Sequence, residues 1–173
     1  MAEITIEHWI RDVPDFPKPG IVFKDITPLL QDAEGLRASI EGLVQAFDPD
    51  SYDIVCGIES RGFIFGTALA DRVNKGFIPI RKPGKLPWKT ASQSYELEYG
   101  SDTIEIHTDA TERGNRVLMV DDLLATGGTM EAGLKLVRRI GGSPVGCAFV
   151  IELDFLSGRD RLGDIPVQAL LNV

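Results

Sequence analysis

The chain has 173 residues, of which 43% are hydrophobic and 25% are charged. These values are typical of one globular domain, which usually buries enough apolar surface to fold without disulfides or a structural metal. Its 18 Lys and Arg residues against 26 Asp and Glu residues give a net charge of −8, which disfavours general binding to nucleic acids and to anionic membranes. We therefore expect a single domain over residues 1–173.

Cysteine usage and the N-terminal residues favour a cytoplasmic protein. Cys56 and Cys147 stand far apart in apolar runs without CxxC spacing, which argues against a structural zinc site and for a reducing compartment. Glu3 and Glu7 occupy a region that would be basic and then apolar in a signal peptide. The longest uncharged run, residues 140–151, is shorter than the ~20 residues of a membrane helix. We expect neither export nor a membrane-spanning segment.

The chain begins with a short predicted helix, a stiff segment and a longer helix. Residues 12–20 contain three prolines and a glycine, which restrict the backbone and remove amide donors, so we expect an irregular segment without helix or sheet. From Asp32, which can cap a helix, apolar residues recur at helical spacing until Asp48-Pro49. These apolar residues are Leu36, Ile40, Leu43, Val44 and Phe47.

Short apolar runs then alternate with helical segments. The predicted strands cover residues 53–57, 77–81, 116–121 and 145–151, and the predicted helices cover residues 61–74 and 128–140. This order is typical of βαβ units. The sequence therefore predicts an α/β fold with a central, mainly parallel sheet that is flanked by helices on both faces.

Residues 82–107 interrupt this alternation. Residues 82–94 are rich in Pro, Gly, Lys and Ser, which predicts a mobile surface loop. The following residues alternate between apolar and polar, which predicts an antiparallel hairpin that projects from the core and carries Glu96 and Glu98 on one face. The apolar members are Tyr95, Leu97 and Tyr99 before a turn at residues 100–102, and Ile104 and Ile106 beyond it.

The strand predicted at residues 116–121 leads into the segment with the strongest chemical signal. Asp121 and Asp122 stand at its carboxyl end, and Ala125-Thr126-Gly127-Gly128-Thr129 precedes the next helix. In open α/β sheets, ligands bind at this end of the strands. The loop amides, the Thr hydroxyls and the helix N-terminus would cradle a phosphate monoester, whereas the carboxylates suit ribose hydroxyls or Mg2+. A sugar phosphate matches both halves of the segment.

Other interpretations of the acidic and glycine-rich segments are weaker. An isolated Asp or Gly pair would more often cap a helix or turn the chain. Residues 57–63 have the glycine spacing of a P-loop, but Phe63 stands where a lysine must reach the phosphates. A receiver domain also carries an acidic pair, yet the present pair follows a late strand and runs into the Thr-Gly-Gly-Thr string.

Residues 117–129 resemble the 5-phosphoribosyl-1-pyrophosphate (PRPP) motif of type I phosphoribosyltransferases, in which hydrophobic residues precede two acids and a TGGT loop. The resemblance implies the type I phosphoribosyltransferase fold, with a small N-terminal hood at about residues 1–30 and a flexible catalytic loop at about residues 82–107. It also implies that Asp121 and Asp122 bind the ribose hydroxyls and that residues 125–129 surround the 5′-phosphate.

Two segments are similar to the base-binding parts of the adenine-specific members of that family. Residues 16–28 resemble the hood, where backbone groups of Val22 and Lys24 would meet the purine edge. Phe23 would stack on the purine ring, worth ~1 to 3 kcal/mol by analogy with other base stacking. Leu153 resembles the residue that closes the adenine pocket. Taken alone, Phe23 would more often belong to the core, and Leu153 would be equally plausible as a core residue.

Two cationic segments resemble the pyrophosphate-binding parts of the same family. The resemblance implies that Arg61, in residues 59–63, approaches the diphosphate. It also implies that Arg81 and Lys85 contact pyrophosphate, where Arg81 can act across a dimer interface. Taken alone, these segments would be a solvated helix end and a solvated basic loop.

Residues 95–100 are similar to the end of the catalytic loop in that family. The resemblance implies that Glu98 hydrogen bonds the purine and assists the loss of its proton, while Tyr99 helps to cover the site. Glu98, Arg61 and Lys85 are therefore the candidate catalytic residues. Glu96 serves as a solvated comparison.

The resemblance implies transfer of the phosphoribosyl group from PRPP to adenine, which gives AMP and pyrophosphate in purine salvage. It further implies Mg2+ as cofactor, held mainly by PRPP and water rather than directly by the protein, and a homodimer. Two alternatives stay open: a PRPP-binding regulatory protein of the same fold, and a phosphoribosyltransferase for another base.

Overall fold

The computed structural model describes residues 5–97 and 99–173. The strands are β1 (Arg11–Pro14), β2 (Val22–Asp25), β3 (Ile54–Ile58), β4 (Gly76–Ile80), β5 (Thr90–Glu96), β6 (Ser101–His107), β7 (Arg116–Leu124), β8 (Ser143–Glu152) and β9 (Val167–Asn172). The α-helices are α1 (Thr27–Gln31), α2 (Ala33–Ala46), α3 (Arg61–Arg72) and α4 (Gly128–Arg139). Short 3-10 turns cover Glu7–Trp9, Pro49–Ser51, Asp154–Leu156 and Gly158–Arg161.

The central sheet has the order β4-β3-β7-β8-β9, and all of its strands are parallel. Helices α2 and α3 pack on one face, and α4 packs on the other together with the β5–β6 hairpin. Strand β7 is buried on both faces: Leu118 and Val120 belong to the core under α2 and α3, whereas Val117 and Met119 belong to the core under α4. The predicted α/β fold with a parallel sheet flanked by helices is confirmed.

Helix α2 begins where the sequence predicts. Asp32 is its N-cap, and its carboxylate accepts hydrogen bonds from the amides of Glu34 and Gly35, each at 2.9 Å. The buried face includes Gly42, where a Cβ would lie 2.9 Å from the side chain of Leu170 in β9. The sequence analysis did not predict β9, because most of its residues are only partly buried and apolar residues occur on both of its faces.

The N-terminal segment forms more regular structure than the sequence predicts. Strand β1 runs through Pro14 and pairs antiparallel with β2, so the expectation of no sheet in residues 12–20 is wrong for residues 12–14. Two cross-strand ion pairs support this ribbon: Arg11 with Asp25 at 2.8 Å and Lys24 with Asp12 at 2.6 Å. Pro14 lies at the end of its strand, where a missing amide donor is tolerated.

The antiparallel hairpin is confirmed, but it is longer than predicted. Strand β5 begins at Thr90, so the loop predicted for residues 90–94 is wrong. Arg139 of α4 donates hydrogen bonds to the carbonyl oxygen of Ser92 and the side chain of Gln93, and these contacts from a distant helix are not encoded in local composition. Glu98 lies outside the described residues, and so does its predicted shared face with Glu96.

Within the residues that the structure describes, no helix is long and apolar enough to cross a membrane.

Candidate active site

The candidate site lies at the carboxyl end of β7. This strand extends through Leu124, so Asp121 and Asp122 lie within the strand, whereas the predicted strand ended at Asp121. Gly127 has φ of +85° and begins α4 as its N-cap. A Cβ on Gly127 would collide with the carbonyl oxygen of Gly158. Glycine is therefore required there both by the left-handed backbone and by the close packing.

Two cavities meet around this segment. A small one of about 80 Å³ is lined by Asp121 and by residues 123–130. A larger one of about 400 Å³ is lined by Glu59, Ser60, Arg61, Lys82, Tyr95, Asp121, Asp122, Leu123, Ala125 and Thr129. The two share Asp121, Leu123, Ala125 and Thr129. The structure thus brings the acidic pair, the glycine loop and Arg61 to one continuous depression.

Arg61 and the acidic pair form the floor of the larger cavity. The Nε atom of Arg61 lies 2.7 Å from an oxygen of the buried Asp122 carboxylate. The Asp121 carboxylate accepts the amide hydrogen of Asp122 at 2.8 Å. Burial, and then the neighbouring charge of Asp122, raise the pKa of Asp121 well above its usual value. A Cβ on Gly62 would lie 2.8 Å from Asp121 Oδ1, so the glycine allows α3 to approach the acids closely.

The Glu59 carboxylate bonds to three residues of the basic segment that follows β4, residues 81–85. The carboxylate lies 2.7 Å from Nζ of Lys85, 2.8 Å from the amide nitrogen of Lys82 and 3.3 Å from Nε of Arg81. Burial alone would raise the pKa of Glu59, but the bonds from Lys85, Lys82 and Arg81 outweigh it and lower the pKa to about 2. Arg81 and Lys85, both predicted site residues, do not line the larger cavity themselves, but they pair with Glu59, which does.

Lys82 connects this basic segment to the hairpin. Its ammonium group pairs with Asp102 in β6, and the hydroxyl of Tyr95 in β5 donates to the same carboxylate at 3.2 Å. Lys82 and Tyr95 both line the larger cavity. The hairpin therefore forms one wall of the candidate site.

Phe23 lies beside Arg61 rather than in the core. Its ring is 5.2 Å from that of Phe16 in an edge-to-face arrangement, and the Arg61 guanidinium lies 5.6 Å from its centroid. Val22 and Lys24 flank Phe23 in β2, and because they are two residues apart, their backbone groups point to the same edge of the strand. The structure thus places the predicted base-binding strand next to the acidic pair.

Tyr99 does not line either of these cavities in the structure. Its side chain is 79% exposed at the tip of the hairpin, and the Lys18 ammonium lies 5.1 Å from its ring centroid. The hairpin tip and the predicted hood therefore approach each other.

Leu153 lies beside the glycine loop. Its amide donates to the carbonyl oxygen of Leu124, at the end of β7, at 2.9 Å. The preceding residue, Glu152, is buried and accepts bidentate hydrogen bonds from Arg159 and a further bond from Asn172. This network holds the chain after β8 against the candidate site.

The sequence analysis did not assign roles to Glu59, Lys82 and Tyr95. Glu59 and Tyr95 lie in segments that it singled out, at residues 59–63 and 95–100, and Lys82 lies between the predicted site residues Arg81 and Lys85. Their residue types alone gave no signal for these contacts, because Glu59 stands 22 residues before Arg81 and 26 residues before Lys85. The pairing became visible only once β3, β4 and the hairpin were placed side by side.

The described residues contain no cluster of three or more His, Cys, Asp and Glu side chains arranged to hold a metal ion. Asp121 and Asp122 provide adjacent carboxylates, the ligand type that Mg2+ prefers. Asp122 is already paired with Arg61. This donor set fits an Mg2+ ion that takes most of its ligands from a bound phosphate ester and water.

Comparisons with known proteins agree with this geometry. The family model for the phosphoribosyl transferase domain matches residues 24–164. An adenine phosphoribosyltransferase from Acidobacterium capsulatum is 59% identical over 167 residues, which cover 96% of this chain and 92% of the relative. The chain belongs to the phosphoribosyltransferase family.

Solved structures of the adenine phosphoribosyltransferases in this family share the fold over nearly the whole chain. The crystal structure from Thermoanaerobacter pseudethanolicus has a TM-score of 0.94 and 51% identity, covering 97% of this chain and 98% of that one. The structure from Saccharomyces cerevisiae, a complex with an imino-altritol bisphosphate and adenine, has a TM-score of 0.91 and 40% identity, with 96% of each chain covered. The type I phosphoribosyltransferase fold is confirmed.

Proposed function

We propose that the protein transfers the 5-phosphoribosyl group from PRPP to adenine, giving AMP and pyrophosphate in purine salvage. The observation that carries this proposal is the continuous depression at the carboxyl end of β7, where the glycine loop, the acidic pair and Arg61 meet. The near full-length similarity to adenine phosphoribosyltransferases supports it.

The phosphoribosyl group fits the two joined cavities. The amides and hydroxyls of residues 125–129 and the N-terminus of α4 surround the 5′-phosphate, since they offer hydrogen-bond donors and a positive dipole end. Asp121 and Asp122 accept hydrogen bonds from the ribose hydroxyls. Each carboxylate is held in place by the protein, Asp122 by Arg61 and Asp121 by the amide of Asp122.

Adenine binds between β2 and the chain after β8. Phe23 stacks on the ring, Leu153 closes the pocket, and backbone groups of Val22 and Lys24 meet the purine edge. Adenine presents an amino donor beside a ring acceptor, and a peptide unit offers the complementary acceptor and donor at fixed geometry. Guanine presents the reverse pattern at this edge, so backbone recognition favours adenine.

The protein lowers the barrier by positioning and by charge. Arg61, Arg81 and Lys85 neutralise the departing pyrophosphate, and Mg2+ bound to PRPP adds to that neutralisation. Residues 82–99 close over the substrates and exclude water that would hydrolyse PRPP. Glu98 accepts a hydrogen bond from the purine and assists the loss of its proton, while Tyr99 covers the site. Adenine N9 captures the ribose with inversion at the anomeric carbon.

The protein acts as a cytoplasmic homodimer in this proposal, with Arg81 reaching the diphosphate across the dimer interface. One observation supports the cytoplasmic location and another supports the dimer. Cys56 and Cys147 are buried free thiols, as suits a reducing compartment. The Arg81 side chain is about one-third exposed beside Glu59, where a second copy can approach it.

One assay tests the proposed function and its alternatives. PRPP and Mg2+ are offered with adenine, guanine, hypoxanthine, xanthine or orotate in turn, and nucleotide formation is followed. We expect AMP from adenine and little product from the other bases. PRPP binding without turnover of any base would favour the regulatory protein, and turnover of another base in preference to adenine would favour a different transferase.

A further inference from the structure

Glu59 is the ion-pair partner of two of the predicted diphosphate-binding cations, Arg81 and Lys85. It follows β3 at the carboxyl end of the strand and lines the larger cavity, and its side chain is only 11% exposed. Its two oxygens face Lys85, Arg81 and the Lys82 amide at 2.7 to 3.5 Å. Convergent cationic and amide donors around paired oxygens are also the arrangement in which proteins bind phosphate groups. The carboxylate thus occupies the place of an anion within the basic segment.

The two cations differ in how easily they can change partner. The Lys85 side chain is half exposed, and its ammonium group has Glu59 as its ion-pair partner. Arg81 is one-third exposed and is also fixed through its backbone, which bonds to Glu105 in both directions. The Lys82 amide adds a fixed contact to Glu59. An arriving diphosphate therefore meets one cation, Lys85, that can change partner and another, Arg81, whose backbone is fixed to β6.

We propose that Glu59 serves as an internal counter-ion: it pairs with Lys85 and Arg81 in the absence of pyrophosphate, and pyrophosphate displaces it from Lys85. The inference rests on the proposed function, because it requires a diphosphate that binds these cations. Because Glu59 competes with pyrophosphate for Lys85, it lowers the affinity of the protein for pyrophosphate and favours release of this product. A residue with a purely structural role would have the opposite effect, since its loss would disorder the cations and weaken binding.

The sign of the change in pyrophosphate affinity tests the proposal. Glu59→Gln keeps an acceptor for the Lys82 amide but removes the charge. Calorimetric titration with sodium pyrophosphate in the presence of Mg2+ should give a Kd at least about threefold lower than that of the wild type, consistent with the strength of a partly exposed ion pair. The inhibition constant of pyrophosphate against PRPP should fall in the same proportion. Unchanged or weaker binding would overturn the proposal.

Glu105→Gln is the matched control. Glu105 approaches the same segment through the Gly84 amide at 3.3 Å and accepts from Ser92 at 3.1 Å, but its carboxylate contacts no cation among the described residues. We expect this variant to change the Kd less than twofold. Equal tightening in both variants would mean that net charge alone is responsible, which would also overturn the proposal.

Two further outcomes distinguish a failure of the counter-ion role from a failure of the proposed function. If wild-type protein does not bind pyrophosphate at all, the proposed function fails as well, whereas wild-type binding with no tightening in Glu59→Gln refutes only the counter-ion role. If Glu59→Gln does not fold, a crystal structure of the wild type with pyrophosphate decides. Lys85 should then bond the diphosphate and lie more than about 4 Å from Glu59, beyond ion-pair distance; an ammonium group still on Glu59 would refute the proposal.

Discussion

Asp121 places a half-buried carboxyl group next to a second one, Asp122. Because burial and then the charge of Asp122 raise its pKa, the free energy of unfolding at neutral pH is lower than it would be with an uncharged side chain at this position. In Asp121→Asn, the amide can accept from the Asp122 amide and donate to the Asp122 carboxylate. We expect Tm at pH 7 to rise by about 2 °C or more while PRPP binding weakens, as thermal unfolding and calorimetry would show.

The gain in stability of Asp121→Asn should depend on pH. A carboxyl group whose pKa is raised in the folded protein favours the folded state below its ordinary pKa of about 4 and loses that advantage as the pH rises. The difference in Tm between Asp121→Asn and the wild type should therefore disappear by about pH 4. A difference of equal size at pH 4 and pH 7 would contradict the pKa argument.

Glu98 and Glu96 allow a matched comparison within residues 95–100. Glu98 carries the proposed contact with the purine, whereas Glu96 is an exposed residue of β5. We expect Glu98→Gln to lower kcat by about 100-fold, the lower range for a proton-transfer group, and Glu96→Gln to leave it nearly unchanged. Steady-state kinetics with adenine and PRPP would measure both, and equal losses would remove the role assigned to Glu98.

At the scale of elements, the turn between β7 and α4 depends on close packing against the 3-10 turn at Gly158–Arg161. Gly127 and Gly20 both have positive φ, +85° and +87°, but a Cβ on Gly20 would contact nothing within 4 Å. Gly127→Ala should therefore lower the free energy of unfolding by about 2 to 4 kcal/mol, against about 1 kcal/mol for Gly20→Ala, which adds backbone strain alone. Urea unfolding would measure both values, and similar losses would show that the contact with Gly158 is unimportant.

At the scale of the whole molecule, three carboxylates in different regions resist protonation. Bonds from Thr27 lower the pKa of Asp25 to about 2, bonds from Arg116 do the same for Asp53, and the cations around Glu59 give it a similar value. Groups with a lowered pKa stabilise the folded state above their ordinary pKa and lose that effect as the pH falls towards 2. We expect the free energy of unfolding to decrease steadily between about pH 4.5 and pH 2. Constant stability over that range, followed by urea unfolding, would contradict these three assignments.

The sequence by itself determined the elements whose signals are local. The Asp32 cap and apolar spacing predicted α2, the buried apolar runs predicted the inner strands apart from the last three residues of β7 and one or two end residues of β3 and β8, and residues 121–129 indicated the sugar-phosphate site. Each of these follows from propensity, periodicity or motif chemistry within a short window.

Only the tertiary structure decided the features that depend on residues distant in the sequence. Strand β5 exists partly because Arg139 bonds to residues 92 and 93, and Glu59 became an organiser of Arg81 and Lys85 because β3 and β4 are adjacent. The raised pKa of Asp121 likewise depends on burial under α3. Burial, ion pairing and strand partnership are set by which segments meet in space, and no single stretch of sequence contains that information.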